Sequence, residues 1–240
     1  MILTIVNFVV GIIDTIGCLL GIRPEKHLYL VVMNQRDEKG NPIASDADML
    51  ASIALAIQVY RDDANVRVLP FKLFDYTTPA SKDEQASDDY IVNLSSNATP
   101  ETLDVDCGLS DFTANLGFAG AQFQNMITLS SFWTNWQGLI GYGAPIFAFS
   151  VRSFSGSSDG CSMGPLTDYI LVQFTGAATN TAAGQPPNSS SIMPHEMGHA
   201  CNLWHVSPPD LMQSSNPRAT NLSWWEIALI RASRHVTYFG

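Results

Sequence analysis

The sequence is short of charge, and shortest of positive charge. Charged residues make up 14% of the 240, and 12 Lys and Arg stand against 22 Asp and Glu, for a formal charge of -10. So few charges beside 46% hydrophobic residues exclude a disordered chain and most coiled coils. The negative balance repels phosphate backbones, which excludes nucleic acid as a natural partner. Four cysteines are too few for a disulfide scaffold of this length, although they permit two bridges. There is no internal repeat and no low-complexity linker, so the length suits one large domain with a sizeable core.

Much of the apolar content sits in residues 1–22, MILTIVNFVVGIIDTIGCLLGI. As a helix this segment is about 33 Å long, enough to cross a membrane. It makes a poor signal peptide, because no basic residue precedes it and Asp14 interrupts it. Thr4, Asn7, Gly11, Asp14 and Cys18 recur at steps of three and four and draw one small, weakly polar stripe along a helix. Residues 1–26 are therefore read as an apolar amphipathic helix or anchor, with packing against the domain preferred to membrane association.

Residues 27–240 read as one domain of alternating strands and helices, an α/β (α+β) chain. His27 to Asn34 is a β-branched, apolar strand. Ser45 and Asp46 cap a helix whose apolar positions Leu50, Ile53, Ala54 and Ile57 share a face, running to about Arg61. Asn65 to Phe74 is a second strand, with Pro70 placing it at an edge or bulge. Strand, helix and strand suggest a right-handed crossover. Residues 75–125 read mostly as loops, with a short strand at Tyr90 to Leu94. Strands return at Pro145 to Phe154 and Asp168 to Phe174, and Ser223 with Glu226 forms a capping box for a last helix.

Three of the five histidines fall within eleven residues, His195, His199 and His205 in HEMGHACNLWH. On a helix, residues four apart share a face, so His195 and His199 can present imidazoles to one ion. Glu196 lies beside that face, placed to reach a water rather than the ion. His205 joins only if the chain reverses after His199. Asn202 suits that reversal, because Asn adopts the left-handed conformation that ends helices. Three imidazoles and one open position make a catalytic zinc site. Cys201 lies about 200° round the helix from His199 and faces away from the ion; it reads as a core or disulfide residue. Cys161 is a plausible partner for it, with Cys18 and Cys107 leaving the pairing open.

HEMGHACNLWH resembles the zinc signature HExxHxxGxxH of the metzincin metallopeptidases, with Asn202 in place of the family's Gly. Pro208-Pro209-Asp210-Leu211-Met212 follows, and Met212, seven residues beyond His205, corresponds to the methionine of the family's Met-turn. The resemblance implies a zincin-like fold: a twisted mixed sheet with an early crossover helix, an active-site helix and a C-terminal helix. The sheet-containing part would end near residue 202, and the Met-turn and last helix would occupy 203–240. It also implies a secreted or otherwise extracytoplasmic zinc endopeptidase acting on protein or peptide, with Glu196 as general base. Substrate would lie along an edge strand by backbone pairing, for which Ala144 to Phe154 is the candidate. Ser214 stands where some metzincins carry a carbonyl-stabilising Tyr, and Tyr238 is remote in sequence. Cys107-Gly108-Leu109-Ser110-Asp111 resembles the family's inhibitory cysteine motif but falls inside the domain, where a structural role is the simpler account. Asp159 and Asp168 stand in acidic loops of the kind that bind structural Ca2+ in some metzincins. A zinc hydrolase of a non-peptide substrate, or a zinc-retaining binding module, would use the same ligands; Glu196 weighs against the second.

Overall fold

The computed structural model describes residues 11, 13–14, 16–17, 19–73, 85–107, 119–131, 135, 137–138, 141–155, 158–174, 188–215 and 218–239. The chain is mixed α/β. It runs β1 (Lys26–Arg36), α1 (Asp46–Ala64), β2 (Val66–Pro70), β3 (Ile91–Asn97), α2 (Pro100–Leu103), β4 (Asp104–Asp106) and α3 (Ala121–Ser131). Then follow β5 (Ile146–Ser150), β6 (Ser153–Ser155), β7 (Gly160–Ser162), β8 (Tyr169–Val172), α4 (Ile192–Ala200), α5 (Trp224–Ala232) and β9 (Val236–Thr237).

The opening crossover forms as its sequence directs. The Ser45 side chain accepts from the Asp48 backbone N–H, and Asn65 ends α1 in the left-handed region at φ 49. Strand β2 then pairs parallel to β1, and Pro70 is its last residue. The main sheet has the order β2-β1-β5-β8-β7, with β3 and β9 also paired to β1. Its pairs are parallel except those of β7 with β8 and β9 with β1. Strands β4 and β6 form a separate parallel pair.

A mostly parallel sheet must be covered on both faces. Leu28, Leu30 and Val32 of β1 belong to the core under α1, α4 and α5, together with Met49, Ile53 and Met197. Val31 and Met33 point the other way, into a second core with Phe123, Phe147 and Phe149. Such burial explains why Ala144 to Phe154 is not the edge strand expected. It breaks into β5 and β6, and β5, buried at all five residues, lies between β1 and β8. A strand apolar at every position is an interior strand. The order ends at β7 on that side of the sheet and at β2 on the other.

The two cores also decide the cysteines. Cys161 packs in the second core and Cys201 in the first, so the sheet separates them. The bridge is Cys107–Cys161, with Cα atoms 6.0 Å apart, which settles a pairing the sequence left open and sets aside the plausible Cys161–Cys201 one. Cys201 is a buried free thiol, pushed up to about 12 by burial. Cys18 and residues 108–111 lie outside the described residues.

The N-terminal segment reverses the expected burial. Gly11, Asp14 and Gly17 are helical, and Asp14 is buried while Ile13, Ile16, Leu19, Leu20 and Ile22 are 52% to 68% exposed. Asp14 faces the domain because it has partners there: Lys26 and Arg231, both fully buried, and the Tyr238 hydroxyl at 2.9 Å. A Cβ on Gly11 would stand 3.2 Å from that of Ala232, so the glycine permits close approach to α5. Thr4 and Asn7 lie outside the described residues. No described helix is long and apolar enough to cross a membrane.

Candidate metal centre

Helix α4 carries His195, Glu196 and His199 and buries its own Met193, Met197 and Ala200 in the first core. The helix stops at Asn202, in the left-handed region at φ 70. There the Leu203 N–H donates to the Gly198 carbonyl at 2.9 Å and the Asn202 N–H to the His199 carbonyl at 2.9 Å. These two bonds are a Schellman closure, which satisfies the last carbonyls and turns the chain back. The reversal brings His205 to the other two histidines, as its spacing required.

The Nε2 atoms of the three rings stand 3.1, 3.2 and 3.3 Å apart. Two of the rings are oriented from behind. His195 Nδ1 lies 2.8 Å from the Leu211 carbonyl and His199 Nδ1 2.8 Å from the Leu203 carbonyl, so each Nδ1 carries the proton. Their Nε2 lone pairs then face the shared point. Burial pushes the His195 pKa down to about 3 and lowers those of His199 and His205, with the Arg218 charge acting the same way. All three rings are thus neutral near pH 7, the form that binds a metal.

A tetrahedral ion bonded to three imidazoles at about 2.0–2.1 Å requires nitrogens about 3.3–3.4 Å apart. The observed separations meet that within a few tenths of an ångström. The three histidines could hold a metal ion, and they are the one such cluster among the described residues.

Glu196 is buried beside them, and burial raises its pKa to about 8 against the opposing pull of Arg218. The carboxylate lies against the edge strand. A Cβ on Gly160 would stand 2.7 Å from Glu196 Oε1 and 2.6 Å from Ile192 Cγ2. Only glycine lets β7 come this close.

Met212 is fully buried beneath α4, where a Cβ on Gly198 would meet its Sδ at 2.5 Å. Its turn ties the site together. Met212 N–H donates to Asp210 Oδ1 at 2.8 Å, and the Met212 carbonyl accepts from Val206, next to His205, at 3.1 Å. Leu211 supplies the carbonyl behind His195. The turn therefore sets two of the three histidines.

The histidines and Glu196 line a cleft of about 440 Å³ with the Cys107–Cys161 bridge, Asp159, Ser214, Ser215 and Arg218. Ser214 is thus in the cleft as its position suggested, whereas the Tyr238 hydroxyl is bonded to Asp14. Asp159 and Asp168 do not share a calcium site. The Asp159 carbonyl accepts from Gln173 beyond one end of β8, and Asp168 precedes the other end, paired with Arg234. His235 is buried, with Nδ1 2.8 Å from the Ala144 carbonyl, and takes no part in the site.

Gly160, Gly198, Arg218 and the two backbone carbonyls were not anticipated. A glycine inside an otherwise helical HEMGH costs about 1 kcal/mol against Ala, and that cost was a readable sign of close packing at Gly198. Backbone carbonyls leave no trace in a sequence.

The chain matches no protein-family model and no curated protein. Among solved structures it is similar to one described as "Structure of a chaperone-substrate complex", at 11% identity and a TM-score of 0.45 over 83% of this chain. The chain spans 29% of the length of that one.

Proposed function

We propose that the protein is a zinc-dependent endopeptidase of metzincin type. The observation that carries this reading is the convergence of His195, His199 and His205 Nε2 atoms within 3.1–3.3 Å beside the buried Glu196. Three neutral nitrogen ligands and a carboxylate that is not a ligand suit a catalytic zinc, since structural zinc sites take four protein ligands. When bound, zinc supplies a water of lowered pKa and polarises a substrate carbonyl. Met212 beneath α4, the turn at Asn202 and the closing helix α5 agree with the family's order of elements.

The chain's own residues have separable tasks. Glu196 takes the proton of the attacking water at its carboxylate and returns it to the leaving amine. Burial makes its carboxylate more basic than an exposed one, the direction a proton acceptor needs. Strand β7 ends the sheet beside Glu196, so an extended peptide added to that edge would pass the metal centre. The open edge favours a peptide over other hydrolysable substrates. The Cys107–Cys161 bridge supports an oxidising, extracytoplasmic setting.

The test is incubation with unfolded casein, with and without a chelator. Chelator-sensitive cleavage by the wild type and a loss of about 100- to 10,000-fold in Glu196→Ala at unchanged metal content are expected. A zinc-loaded wild type that cleaves no peptide would sink the reading.

A further inference from the structure

Two clefts open from the metal centre and share Ser162, His199 and His205. Glu196 lines one of them, the polar cleft of about 440 Å³, and takes no part in the walls of the other. That other cleft, of about 530 Å³, is walled by Leu166, Leu203 and Trp204. Leu166 and Trp204 are 77% and 73% exposed, on a cleft large enough for a bulky side chain.

Both walls are held in place. Leu166 ends a short helical turn, Gly164–Leu166, in which Pro165 fixes the backbone and the Gly164 N–H donates to the Ser162 hydroxyl at 3.1 Å. Across the cleft, Trp204 stands between His205 and Leu203, whose N–H closes helix α4. Strand β7 gives the site a direction. A Cβ on Gly160 would stand 2.7 Å from Glu196 Oε1, Ser162 belongs to both clefts, and Leu166 follows further along. On this path the base comes first, the histidines next and the apolar cleft last.

We propose that the Leu166–Trp204 cleft binds an apolar side chain on the amino-terminal side of the scissile bond. The inference rests on the peptidase reading and adds which half of the substrate is selected, and for what. The attacking water adds its oxygen to the acyl carbon, the carbon–nitrogen bond breaks, and Glu196 passes the water's proton to the leaving amine. That amine must lie within hydrogen-bond reach of the Glu196 carboxyl. It heads the carboxy-terminal product, which therefore lies along the polar cleft. The acyl half lies on the far side of the histidines, where the walls are Leu166, Leu203 and Trp204. An aliphatic or aromatic side chain seated there removes apolar surface of both partners from water. No Lys, Arg, Asp or Glu among the described residues lines this cleft to receive a charged one.

The test uses the zinc-loaded full chain on peptides blocked at both ends, with Ala, Leu, Phe, Asp and Lys placed in turn at each position flanking a common cleavable core. Mass spectrometry of the products locates the scissile bond, so each preference is assigned to one side of it. Wild type is expected to favour Leu or Phe over Ala by about 10- to 100-fold in kcat/KM on the amino-terminal side, with Asp and Lys poorest. Leu166→Ala and Trp204→Ala should flatten that ratio at unchanged zinc content, and Leu166→Lys should raise Asp above Leu there. Walls with a purely structural role would lower all substrates together and leave the ratios alone. No apolar preference on the amino-terminal side, or a ratio unmoved in both alanine variants, overturns this inference and spares the peptidase. So does a dimer that dissociates in Trp204→Ala while the ratio holds, which would assign the cleft to a second copy of the chain. A zinc-loaded wild type that cleaves nothing overturns both.

Discussion

Two polar clusters are buried in this chain, and they differ in where their hydrogen-bonding capacity goes. Around Asp14 it is spent inward. Lys26 Nζ donates to Asp14 and to the Arg231 carbonyl at 2.7 Å, while Arg231 reaches Asp14 at 3.1 Å, the Ala64 carbonyl at 2.8 Å and the Pro24 carbonyl at 2.7 Å. Around His195 it converges on a point. Two of the three rings, His195 and His199, bond backbone carbonyls on one side, and all three direct their Nε2 atoms at a shared space. A buried cluster whose members answer one another is a fastening; one whose lone pairs answer nothing in the chain is a site. Burial alone separates neither, since Arg231 is fully buried and His195 nearly so.

The fastening breaks with the larger effect on stability. Asp14→Ala leaves two buried cations without their shared anion, and about 3–5 kcal/mol of destabilisation is expected in urea unfolding. Metal content should be unchanged, because the triad lies apart from the histidines. Loss of metal from a folded Asp14→Ala variant would show that the two clusters are one unit.

His235 sharpens the contrast from the other side, as a buried histidine that belongs to neither cluster. Burial depresses its pKa to about 4, so between that value and about 6.5 the unfolded chain binds a proton that the folded chain does not. Its contribution is therefore complete above about pH 6.5 and is lost as pH falls through about 4. A shift of that size amounts to about 3 kcal/mol. Urea midpoints measured across this window should fall less steeply in His235→Gln than in wild type. Equal slopes would mean that His235 is protonated as readily in the folded chain.

The candidate metal centre's three histidines were legible in the sequence because their convergence rests on local rules. Helical spacing puts His195 over His199, and the backbone preference of Asn202 makes the turn that returns His205. Ser45 and the Ser223–Glu226 capping box mark helix starts by the same short-range logic. What stayed hidden depends on partners distant in the chain. Asp14 turns inward because of Arg231, 217 residues later. Cys161 pairs across 54 residues with Cys107, on a side of the sheet that no spacing reveals. Strand β7 is only Gly-Cys-Ser, too short for any periodicity, and it is an edge strand because β8 accepts it. Helix α3 presents just Phe123, Ile127 and Ser131 to the core from a polar segment, which gives little apolar pattern to read.

The most direct measurement is the metal content of the chain purified without added metal. The converging histidines predict one zinc per chain in wild type and in Glu196→Gln, and none retained in His199→Ala while the fold persists. Absence of stoichiometric zinc from folded wild type, or its full retention in His199→Ala, would contradict the site.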